Sequence, residues 1–133
     1  MPLNFNVDPY YDDFDSSKNY HRIHTDAIAE NIIPHLLLPA EIAQIYATEA
    51  DMLNMALFGV TAKQWRAQNI GKDGNIRDYA AVEQLIVLSN LESINAALIG
   101  KGVPQTDRLS ELNVIAITQM RSLLTSFIVK KLT

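Results

Sequence analysis

The stretch DYAAVEQLIVLSNLESINAALI (78–99) decides the fold. Val82, Leu85, Ile86, Leu88, Leu91, Ile94, Leu98 and Ile99 recur at three- and four-residue steps. That is a helical period, not the alternation of a strand. The apolar face is wide, as a helix needs when more than one neighbour covers it, so 78–99 reads as the central helix. Asp78 is expected to cap it. Gly100, Gly102 and Pro104 break the chain beyond it. A last helix follows from about Thr106 to Val129, through Leu109, Leu112, Ile115, Ala116, Met120, Leu123, Leu124 and Phe127. Lys130 and Lys131 suit its negative end.

Upstream of the central helix the signals are also helical. Thr25 or Asp26 can cap a short helix through Asn31, which Pro34 must end or kink. Pro39 fits the first turn of a second helix, with Glu41 near its positive end. Ile42, Ile45, Tyr46, Leu53 and Ala56 continue the period, Met52 and Met55 widen the stripe, and Gly59 ends it. Thr61 and Gln64 form a capping box for a short helix containing Trp65. Residues 69–75, with Gly71 and Gly74, read as a loop. The expected fold is all-α. Three longer helices (about 40–57, 78–99 and 106–129) and two or three short ones make a helical domain over 23–133. Leu53, Leu57, Trp65, Leu85, Leu88, Leu91, Leu112, Ala116 and Met120 are its expected core.

The 133 residues suit one domain, or a domain plus an arm. Apolar residues are 48% and charged residues 20%, a balance that can build a core. A chain this long buries roughly 65–70% of its unfolded surface without staples. It has no cysteine, which excludes disulfides, thiolate metal sites and a cysteine nucleophile. The formal net charge of −4 argues against broad nucleic-acid binding, which needs a concentrated basic face. No apolar run approaches the ~18–20 residues of a membrane span, and the N-terminus is too acidic for a signal peptide. The expectation is a soluble protein, intracellular or virus-borne.

Residues 1–22 form the other expected segment, an extended acidic and aromatic arm. The first 26 residues hold five acids and two bases, whereas the remaining 107 hold ten acids and nine bases. Phe5, Tyr10, Tyr11, Phe14 and Tyr20 are half of the aromatics in the chain. Pro2 and Pro9 interrupt the arm, and Asp12-Asp13 with Asp15-Ser16-Ser17 reads as turn. Aromatics without a local core either fold back on the helices behind them or anchor the arm to another surface. The second reading makes Phe5, Tyr10, Tyr11, Asp12, Asp13 and Phe14 partner-binding residues.

Two resemblances add to this. HTDAIAENIIP (24–34), IYATEADMLNMALFGVTAKQWR (45–66), GNIRDYA (74–80), EQLIVLSNLESINAALI (83–99) and RLSELNVIAITQM (108–120) stand in order along the chain. Together, residues ~23–125 resemble the region after the DNA-binding module in KilA-N domain proteins of phages and prophages. That module is absent here, so no DNA-binding role is implied for any residue. LNFNVDPYYDDFDSSKNYHRI (3–23) resembles the extreme N-terminus of tail or baseplate proteins of tailed phages. The pair implies a small helical module carrying a virion-type arm.

Residue types with chemical potential are scattered. His21, His24 and Asp26, with His35 beyond, could supply metal ligands, but no HExxH or Glu-x-x-His pair frames them. Asp12, Asp13 and Asp15 lack the spacing and the downstream Glu of a calcium loop. Glu49 and Asp51 are expected on a solvated helix face. Ser89, Ser93 and Ser110 have no sequence context that makes a triad. Trp65 is expected to pack its ring into the core or across the helix junction; as a stacking platform for bases it lacks a basic surround. In GNIRDY (74–79), Gly74 supplies a backbone conformation other residues avoid, and Arg77 either pairs with a carboxylate or meets a partner. No P-loop is present.

The sequence therefore leads to a non-enzymatic phage protein without cofactor or metal, a helical interaction module. Its expected partners are tail or baseplate components met through the arm, and its expected place is the virion. Neither specific nucleic acid nor membrane is expected, and a homo-oligomer is compatible with this reading. The alternative is a KilA-N-related regulatory, defence or anti-defence protein in the host cytoplasm.

Overall fold

The computed structural model describes Arg22, Ile23, Asp26, residues 30–45 and residues 48–132, with the side chains of the last helix as far as Ser126. The chain divides into two compact units, Met1–Asn31 and Ile32–Thr133. In the first, the described residues Arg22, Ile23, Asp26, Glu30 and Asn31 are helical. The arm, with Phe5, Tyr10, Tyr11, Asp12, Asp13 and Phe14, lies outside the described residues apart from Arg22.

The second unit is all-α, with no strand among the described residues. Its elements are α1 (Pro39–Ala43), α2 (Glu49–Phe58), α3 (Ala62–Gln68), a 3₁₀ turn (Ile76–Tyr79), α4 (Val82–Gly100) and α5 (Gln105–Leu132). Helices α2 and α4 both pack on α5 and on each other, and α1 lies against α5. Met52, Leu57, Val87, Leu91, Leu109, Leu112, Ala116 and Met120 are sealed from solvent between them.

Several boundaries are local capping chemistry. Thr61 Oγ1 accepts from Gln64 N at 3.2 Å and Gln64 Oε1 accepts from Thr61 N at 2.8 Å, closing the box that starts α3. Gly59 ends α2 with φ +75, where a β-carbon would lie 3.0 Å from the His35 ring. After α4, Gly102 N donates to Ile99 O and Val103 N to Leu98 O, a Schellman stop with Gly102 at φ +78.

Four expectations need correction. The helix expected over 40–57 is two helices, because Thr48 Oγ1 accepts from Asp51 N at 3.2 Å and starts a new helix at Glu49. The central helix begins at Val82, and Asp78 caps the 3₁₀ turn before it instead. Leu85 is 41% exposed, since it sits about 120° around α4 from the fully buried Leu91. Finally, α4 is by length and composition apolar enough to cross a membrane, unlike the expectation that no run approaches one. Of its apolar window 22% is buried in the helical core, Val87, Leu88 and Leu91 included.

Candidate functional site

Two constellations stand out from the packed helices. The first is a polar cluster where the starts of α2 and α5 meet the C-terminal half of α4. Arg108, 8% exposed, donates through Nη1 and Nη2 to both carboxylate oxygens of Glu49, the Nη2 bond being 3.2 Å. Nη1 also donates to Asn95 Oδ1 at 2.7 Å, and Nε to Val103 O at 2.9 Å. Asn95 Nδ2 and Gln105 Nε2 complete the Glu49 carboxylate at 3.0 and 2.9 Å. These donors, Arg108 first and Asn95 next, hold the Glu49 carboxyl down from the usual 4.5 to about 2. The Glu49 side chain is 44% exposed, so one side of the carboxylate faces water.

The expectation of Glu49 on a solvated face is met only in part, since the other side of its carboxylate is tied to Arg108, Asn95 and Gln105. Nothing local in the sequence signalled it, because Arg108 lies 59 residues away. Chemically the cluster is closed. The guanidinium and the carboxylate satisfy one another within the fold, which makes the group a clasp joining three helices. Asn113, 2% exposed, is a second clasp: it accepts from Leu37 N and donates to His35 O and Ala56 O.

The other constellation is the loop after α3 and the hollow beside it. Gly74 has φ +88, and a β-carbon there would come within 2.4 Å of Asp78 Oδ2. Asp78 Oδ2 accepts from Asn75 N at 2.8 Å, and Asn75 Oδ1 accepts from Arg77 N at 2.9 Å. The glycine thus lets the loop close into a 3₁₀ turn that buries Ile76 and brings Tyr79 back toward α3. Tyr79 OH donates to Asp73 O at 2.7 Å. Its ring lies 5.3 Å from the Trp65 ring at 33°, and Lys72 Nζ stands 5.0 Å from its centroid. Beside the two rings is a hollow of about 280 Å³, lined also by Phe58, Val60, Ile76 and Gln84. Trp65 is half-buried against Tyr79, itself 51% exposed, so its ring packs across the helix junction rather than in the sealed core, its other expected place.

The sequence candidates are dispersed over this body. Arg77 pairs with Glu92 at 3.6 Å, both about half exposed. His35 Nε2 is 3.2 Å from Glu41 Oε2, and the Glu41 carboxyl is lowered by its bond from Leu38 N and then by His35. Of the other possible metal ligands, His21 and His24 lie outside the described residues. Among the described residues no three His, Asp or Glu side chains converge. Ser89, Ser93 and Ser110 stand exposed. What the structure adds to the sequence reading is the Trp65–Tyr79 pair, whose only trace in sequence is two aromatics either side of a glycine loop.

No family model, curated protein or solved structure matches the chain.

Proposed function

We propose that the chain is a non-enzymatic phage protein, a helical interaction module that docks through its N-terminal arm on a tail or baseplate component of the virion. The observation that carries this reading is the phrase NVDPYYDDFD (6–15), which combines aromatic anchors with acids and resembles the start of tail and baseplate proteins. Aromatics give large contact area at low rotamer cost, and acids steer the segment to a basic groove. The helical body supports the same reading. Its strongest polar groups, Arg108, Glu49 and Asn113, are tied into clasps within the fold, and the surface it leaves open at Trp65 and Tyr79 is suited to contact.

The length of the KilA-N-like stretch, residues ~23–125, supports a second reading as a regulatory or defence-related protein of the infected or lysogenic cell. Mass spectrometry of purified particles separates the two. Fixed stoichiometry in virions is the expected result; presence in cells with absence from particles overturns it and favours the second. Deleting residues 1–22 should abolish incorporation while leaving the melting temperature nearly unchanged. A truncated chain that aggregates instead assigns the arm to the domain's own core.

A further inference from the structure

The hollow beside Trp65 has a charge partner in the chain's own sequence. Between Arg22 and Lys63 there is no Lys or Arg. Lys63, Arg66, Lys72 and Arg77 then fall within fifteen residues, with Asp73 among them and Asp78 directly after; all four basic side chains are exposed, and Arg77 pairs with Glu92. Lys72 is placed at the rim by its position over the Tyr79 ring, and Arg66 adjoins Trp65 in sequence on α3. Ile70, Tyr79 and Val82, on the same run of chain, are 89, 51 and 67% exposed. The arm has the opposite character. Residues 1–17 contain Asp8, Asp12, Asp13 and Asp15, no base, and the aromatics Phe5, Tyr10, Tyr11 and Phe14.

We propose that the Trp65–Tyr79 hollow is the receptor for the acidic aromatic arm of a second copy of this chain. An aromatic side chain of the incoming Tyr10, Tyr11 or Phe14 enters the hollow, and Asp12, Asp13 and Asp15 face Lys72 over the Tyr79 ring and the bases carried by α3, Lys63 and Arg66. At about 280 Å³ the hollow is at the lower limit for a small-molecule site and suits one aromatic side chain. A nucleic-acid base is the rival that basic and aromatic residues together suggest. Trp65 and Tyr79, however, already lie within stacking distance of each other, which leaves no slot between them for a base. The contact of arm on body is heterologous, so it links copies head to tail. It goes beyond the docking reading, because the receptor is on the chain itself and the leading copy keeps a free arm.

Trp65 is the only tryptophan, so its emission reports on the hollow directly. A synthetic peptide of residues 3–17, which lacks tryptophan, is titrated into the full-length chain held at low concentration. The expected result is a saturable emission change with Kd of roughly 1–100 μM. It should weaken about tenfold from ~0.05 to ~0.5 M salt. Lys72→Glu or Arg66→Glu in the protein, each checked for unchanged helicity, should weaken binding about tenfold or more. A peptide with Tyr10, Tyr11 and Phe14 replaced by alanine should do the same. Sedimentation velocity should show the full chain associating with concentration, and excess peptide should reverse it. No emission change, equal binding of the alanine peptide, or a response to oligothymidylate but not to the peptide overturns the proposal. So does a concentration-independent monomer. None of these readouts depends on whether the chain is found in particles.

Discussion

The Glu49 clasp gives the most direct test of what holds the helices together. In Glu49→Gln the new amide keeps an acceptor for two bonds, those from Arg108 Nη1 and Asn95 Nδ2. Its nitrogen then faces two donors, Arg108 Nη2 and Gln105 Nε2, where the carboxylate had an oxygen. Breaking a buried ion pair costs about 3–5 kcal/mol, because the surviving charge stays buried. Arg108 is 8% exposed and fits that description, but the Glu49 side chain is 44% exposed, so water replaces part of the loss. The expected cost is therefore about 2–3 kcal/mol at pH 7. For a helical unit near 100 residues that is roughly an 8–20 °C drop in melting temperature by circular dichroism.

The pH dependence has a definite sign. The folded Glu49 carboxyl, at about 2, lies below its ordinary 4.5, so the fold favours the ionised form. Its contribution is complete above ~4.5 and fades as pH falls toward 2. The gap between wild type and Glu49→Gln should close over that window. A double-mutant cycle with Arg108→Met supplies the decisive number. With the guanidinium gone, Glu49→Gln should cost under ~1 kcal/mol. Equal cost in both backgrounds, or a pH-independent gap, would refute the clasp.

Other perturbations separate effects that look alike in sequence. Gly74→Ala and Gly71→Ala both place alanine at positive φ, +88 and +91, but only the first meets an atom, Asp78 Oδ2 at 2.4 Å. Urea denaturation should show about 1–2 kcal/mol for strained φ at either site and a further loss only at Gly74. Leu91→Ala should cost about 2–5 kcal/mol, whereas Leu85→Ala should cost under ~1, since Leu91 is fully buried and Leu85 41% exposed. Similar costs would mean that α4 presents a different face to the core.

What the sequence determined by itself is everything that chemistry within a turn or two decides. The Thr61–Gln64 box, the Gly59 stop and the Gly102 stop are bonds between residues at most five apart, so their signals are local and readable. The helical period of 82–99 belongs to the same class. Tertiary structure decided which arc of that broad apolar face is buried: Val87, not in the expected core, is sealed, and Leu85 is turned outward. Periodicity identifies a face only when it is narrow, and here leucine, isoleucine and valine run most of the way round. Tertiary structure also paired Glu49 with Arg108 across 59 residues, and it brought Tyr79 against Trp65. Those contacts depend on how helices cross, which no window of sequence contains. The hollow beside Trp65 and Tyr79, with Lys72 over the Tyr79 ring, forms because a glycine loop folds one aromatic back on the other.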